Sequence, residues 1–255
     1  MPFTLAHPAA VLPLRHLRQL RTAPLVIGAV TPDLPYYVPA RLSGHLTHDS
    51  HSVAGSLLID LPLGLVVLVC AFLLRGPLTV LLSARARWLC LNALEPFRRS
   101  ARAWAFAPLA ILAGIWSHLL WDSFTHTDGW MVKRMALLRS TVTVGWYSGE
   151  MCHLLQYLSS AAGLAILALW YARLRAPAPG PRAGRGAHPG PALLLVAGAA
   201  LLIGGVQATL YYEQAEAVYH TLYLLLTRSL AWFAALYLFA GTLVTLEHRA
   251  DAGPR

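Results

Sequence analysis

Apolar residues come in five long, nearly unbroken stretches, separated by polar segments that carry most of the arginine and histidine. The stretches run from Gly55 to Leu74, Trp104 to Trp121, Met151 to about Ala172, Ala192 to Tyr212 and Thr221 to Leu246. At a helical rise of about 1.5 Å per residue, runs of this length match a hydrocarbon core about 30 Å thick. Pro62 is expected to kink the first, which neighbouring helices tolerate in a bundle. Trp104, Trp121, Trp170, Tyr171, Tyr211 and Tyr212 stand at their ends, as in an interfacial aromatic belt. The pattern predicts an all-α, polytopic membrane bundle of about five transmembrane helices. Leucines interleave with arginines over 11–21, VLPLRHLRQLR, which predicts an additional N-terminal interfacial helix. Residues 1–175 read as one membrane domain, 176–191 as a Pro/Gly-rich linker and 192–255 as two C-terminal transmembrane helices.

Composition agrees: 57% of the 255 residues are hydrophobic, 12% are charged, and mean hydropathy is +0.54. The net charge of +9 does not imply nucleic acid, because the arginines sit in loops between apolar stretches. They read as topology signals and headgroup contacts, with membrane lipids as the expected partners. Loops 75–103 and 173–191 hold ten arginines against a single glutamate, Glu95, which predicts that both are cytoplasmic. The N-terminal region and loops 122–150 and 213–220 then face outward, although Arg15, Arg18, Arg21 and Arg41 oppose this assignment. Cys70, Cys90 and Cys152 are far apart and are expected to be free thiols. The opening MPFTLAHPAA lacks the pattern of a secretory leader, so insertion is expected to rely on the internal helices.

That outward face collects the chemistry. In SHLLWDSFTH, His118, Asp122 and His126 are spaced i, i+4, i+8, each about 40° from the last around a helix, so they share one stripe. In GHLTHDSHS, His45, His48, Asp49 and His51 precede the first span. Imidazole nitrogen and carboxylate oxygen are preferred ligands of zinc and similar divalent ions. Two prolines stiffen the turn around Asp33 in TPDLPYY. His7 belongs to the same face, and so do Glu213, Glu216 and His220, of which Glu216 and His220 are spaced as additional ligands or as acceptors that orient histidines. Within the spans, Asp60 and Arg228 lie at matching depths of about 8–11 Å by helical rise, which predicts a structural ion pair.

The segments MPFTLAHPAA, VIGAVTPDLPYY, HSVAGSLLIDLPLGL and SHLLWDSFTHTDGW, in that order and followed by LLQYLSSAAGL at 154–164, resemble the bacterial membrane family described as domain of unknown function 4184. The resemblance covers roughly 1–175. At greater distance, the order His, Pro-Asp, His-Ser, His-x-x-x-Asp is similar to membrane-bound metal-dependent hydrolases and to zinc-dependent phospholipase C. That similarity implies His7, Asp33, His51, His118 and Asp122 as metal-site residues, with Asp33 a ligand or the general base. The expectation is therefore a zinc-dependent membrane hydrolase of a lipid or lipid-linked phosphoester, with His48, His126, Glu216 and His220 as further candidate ligands. The alternative is a non-enzymatic transporter, or a metal- or proton-handling protein, that uses the same cluster. The sequence fixes neither substrate nor oligomeric state.

Overall fold

The computed structural model describes residues 4–17, 19–38, 46–145, 147–175, 189–210 and 218–251. Five of its helices are long and apolar enough to cross a membrane: Val53–Leu73, Ala101–Thr125, Met151–Arg173, Gly190–Leu210 and Thr221–His248, hereafter the first to fifth spans. The chain is a multi-pass membrane protein. Leu58, Leu158, Leu195, Leu202 and Phe239 are exposed on these helices, as lipid-facing positions should be. Cys70, Cys90 and Cys152 are free.

The chain forms two compact units, one comprising Met1–Pro35, Gly44–Leu68 and Pro96–Arg175, the other Tyr36–Ser43, Val69–Glu95 and Ala176–Arg255. The first unit carries the histidines and aspartates of interest. Its N-terminal segment is a short 3₁₀ turn at Thr4–Ala6, a helix α1 (Pro8–Val11) and a second 3₁₀ turn at Leu12–His16. The expected interfacial helix over 11–21 is thus replaced by a 3₁₀ turn. Pro13 supplies no amide proton to a helical ladder, and Val11 is drawn into a core with Leu25, Ala29 and Ala110. The chain then returns through an apolar helix, α2 (Thr22–Val30), into a 3₁₀ turn at Thr31–Tyr37.

Helix α2 lies directly on the second span. A Cβ on Gly28 would stand 2.1 Å from the Ile111 carbonyl oxygen, and one on Gly114 would stand 2.4 Å from that of Leu25. Two backbones approach this closely only where side chains are missing, the usual way for helices to pack in a membrane, where lipid is as apolar as leucine. The first span contains a π-helical turn at Ser56–Asp60, closed by the Leu61 amide donating to the Ser56 carbonyl. Pro62 explains it: the missing proline N–H cannot close the next α-turn, and the ladder widens instead. Ser56 and Asp60 are thereby buried.

Loop 122–150 contains short helices at Trp130–Arg134 and Ala136–Arg139 and a hairpin of β1 (Thr141–Val144) and β2 (Tyr147–Glu150), with Thr141 opposite Glu150 and Val144 opposite Tyr147. Gly145 takes the left-handed conformation its turn requires, at φ +59°. Loop 75–103 is helical as well, over Arg75–Val80 and Ala84–Arg99. In the second unit the fourth and fifth spans meet at Gly204, where a Cβ would lie 2.6 Å from the Ser229 amide nitrogen. Arg75–Val80 docks on the fifth span, with the Tyr237 hydroxyl donating to the Leu78 carbonyl at 2.9 Å.

Candidate metal centre

Four elements of the first unit bring their polar groups to one point. The second span contributes His118 and Asp122, one turn apart and buried. The turn after α2 contributes Asp33, which is 1% exposed. His51 comes from the segment that precedes the first span, and His7 from the start of α1.

Three of these side chains are held from behind. His118 Nδ1 donates to the Ala29 carbonyl at 2.9 Å, so α2 fixes the ring through its backbone. The Ser50 hydroxyl donates to the Pro32 carbonyl at 3.0 Å, and its oxygen accepts from His51 Nδ1 at 3.1 Å. Asp33 Oδ2 accepts from the Thr4 hydroxyl at 2.6 Å. In both imidazoles Nδ1 therefore carries a proton, and Nε2 turns inward. This is the outer-shell arrangement that orients histidine ligands of metals.

The inward atoms lie close to one another. His118 Nε2 is 3.1 Å from Asp122 Oδ2 and 3.7 Å from Asp33 Oδ1. His51 Nε2 is 3.5 Å from Asp33 Oδ1 and 3.7 Å from Asp122 Oδ2. His118 Nε2 and both Asp122 oxygens are nonetheless buried with no hydrogen-bond partner. A nitrogen and a carboxylate oxygen this close repel each other unless a proton or a cation lies between them. Donor atoms of Asp33, His51, His118 and Asp122 all fall within 4.8 Å of one another. A tetrahedral ion with bonds of about 2.0–2.2 Å has donor–donor edges of about 3.4 Å, and the four separations above scatter around that value. The residues present fit a divalent ion.

His7 and His126 stand beside this set, not in it. The His7 ring stacks on His118, with centroids 3.8 Å apart and planes at 20°, and its Nε2 is 3.5 Å from Asp122 Oδ1. That nitrogen is also buried and unpartnered. Burial, reinforced by the neighbouring His118, pushes the His7 pKa down to about 4, so the ring is neutral at pH 7. Burial alone would raise the Asp33 carboxyl, but the His51 hydrogen bond, the His118 charge and the Thr4 hydroxyl outweigh it and hold the group well below the usual carboxylate range. His126 Nδ1 is 3.7 Å from Asp122 Oδ1 and 3.3 Å from the Asp122 carbonyl. Burial lowers its pKa too. The side chains of His48 and His220, and all of His45, Glu213 and Glu216, lie outside the described residues.

The expected ion pair would join residues of different units, Asp60 of the first and Arg228 of the second. Both Asp60 oxygens are buried without a hydrogen-bond partner. Ser50 and Thr4 were not singled out by sequence reasoning. Their signal was available only as short hydroxyl residues beside or upstream of ligand candidates, a pattern far too common to stand out.

The sequence profile described as Domain of unknown function (DUF4184) matches residues 1–246, well past the linker at which the resemblance had been drawn. No curated protein matches the chain, and no solved structure does.

Proposed function

The chain belongs to the DUF4184 family, and on that premise we propose that it is a membrane-embedded, metal-dependent hydrolase of a lipid or lipid-linked phosphoester. One observation carries the reading: His118 Nε2 and Asp122 Oδ2 stand 3.1 Å apart, buried and unbonded, while Nδ1 already spends its proton on Ala29. Asp33, His51, His118 and Asp122 would hold the ion, and zinc suits a set of two imidazoles and two carboxylates. A bound zinc would polarise a phosphoryl oxygen and supply an activated water at neutral pH. The chain's own groups do the rest. Thr4 ties Asp33 Oδ2, which favours Asp33 as a ligand over a general base. Neutral His7 presents its buried Nε2 beside Asp122 Oδ1.

The cluster is proposed to face the extracytoplasmic side. Of the N-terminal arginines that opposed this assignment, Arg15 lies away from the cluster. Arg15 lies over the Trp170 ring at 5.4 Å, beside Arg173 at the far end of the third span from the cluster.

Asp60 favours a second reading, a proton- or metal-handling transporter. It is a buried, unpartnered carboxylate about 10 Å into the first span by helical rise, and intramembrane carboxylates mark ion pathways. Purified protein given zinc and long-chain phosphoesters in mixed micelles separates the two. Turnover that falls at least about a hundredfold in His118→Ala supports the hydrolase. No turnover, together with zinc- or proton-dependent flux in liposomes, supports the transporter.

A further inference from the structure

A cavity of about 210 Å³ opens beside the cluster, between α1 and the third span. Ala6, Ala10, Ala162, Gly163 and Ile166 form its apolar walls, and His7 closes one end. The cleft exists because these side chains are small: a Cβ on Gly163 would already meet the Ala6 carbonyl oxygen at 3.0 Å. At the same end, Trp121 Nε1 donates to the Ser159 hydroxyl at 3.2 Å, and that hydroxyl donates to the Gln156 carbonyl at 3.1 Å, so these polar groups are satisfied among themselves. His7 differs. It is 4% exposed, and its Nε2 lacks a partner and faces Asp122. One residue thus walls both an apolar cleft and a polar centre.

The cleft does not end at Ile166. The same residue lines a second hollow, of about 680 Å³, bounded further along by Leu12, Leu169 and Trp170, with Arg15 and Arg173 at its end. The seam follows the third span from Ser159 to Arg173, about 21 Å by helical rise. Leu169, which lines the seam, is exposed, so the seam opens toward hydrocarbon.

We propose that this seam is the binding site for one long alkyl chain of the substrate, with the phosphoester head at His7 and Asp122. The inference rests on the hydrolase reading and narrows it: the substrate is an amphiphile whose scissile bond lies next to its chain, and a soluble phosphoester lacks most of the recognised surface. Every methylene buried in the seam adds binding that a short chain cannot obtain.

The test uses the full-length protein in mixed micelles with a series of alkyl phosphate esters from butyl to hexadecyl. A hexadecyl phosphonate bearing a diazirine on its chain reports binding without turnover. The expected result is a kcat/KM that rises at least about tenfold from butyl to hexadecyl. Ala162→Phe and Ala10→Phe, which fill the cleft from opposite walls, should cut that rise below about twofold; Leu164→Phe, outside it, should not. Photolabel should concentrate on the peptides carrying Ala10, Ala162 and Ile166 and leave them in Ala162→Phe, with metal content reporting that the variant is folded. Chain-length independence with labelling spread evenly over the exposed faces, Leu222 and Phe239 of the fifth span included, is annular lipid only and overturns the proposal. Labelling confined to the cleft without hydrolysis of any ester leaves the chain site standing and removes the hydrolase reading.

Discussion

At the scale of single residues, the centre is defined by what its atoms lack. His118 is fixed by the Ala29 carbonyl and His51 by Ser50, yet the inward nitrogen of His118 and both oxygens of Asp122 are buried with no hydrogen-bond partner. A buried polar atom left unmatched costs about 1–3 kcal/mol, and several that converge on one spot suit a shared cation. Asp60 shares the lack but not the convergence. Both its oxygens are unpartnered, and it belongs to no group of metal donors among the described residues. Replacing it with leucine is therefore expected to raise resistance to unfolding in detergent by about 1–3 kcal/mol, and Arg228→Gln should add to that change without coupling. A coupling free energy between the two positions above about 0.5 kcal/mol in a double-mutant cycle would restore the ion pair.

At the scale of elements, α2 is the part that makes the site possible. It brings Ala29 to His118 and delivers Asp33 at its end, because Gly28 and Gly114 let two backbones touch. Gly114→Val is expected to push α2 off the second span and to lower folded yield and metal content together. Gly198→Val, where a Cβ meets nothing within 4 Å, should do neither. Normal metal content in Gly114→Val would show that α2 does not position the ligands. The i, i+4 spacing of His118 and Asp122 was legible in the sequence, because ligand geometry along one helix is set by the helix itself. Asp33 and His51 were legible as residue types beside apolar runs. The element that carries Asp33 was not, since TAPLVIGAV is only nine residues long and uniformly apolar, with no periodicity to separate a buried helix from a connecting segment. The hairpin at 141–150 was hidden likewise, as TVTV is too short to outweigh the helices around it.

At the scale of the whole molecule, charge and chemistry separate along the spans. The ligands gather at the end where the second span finishes and the third begins, while Arg15 and Arg173 mark the opposite end. Cysteines engineered into 136–140 should be labelled by membrane-impermeant reagents on intact cells, and those at 83–87 should not; the reverse pattern would place the centre in the cytoplasm. The central claim is that Asp33, His51, His118 and Asp122 hold one divalent ion, and metal analysis of the purified full-length protein tests it most directly. The expected result is one tightly held ion per chain, removed by a strong chelator or by acid that protonates the histidines, and absent from Asp122→Asn that remains folded. Folded wild-type protein that retains no ion, even after incubation with zinc, would contradict it.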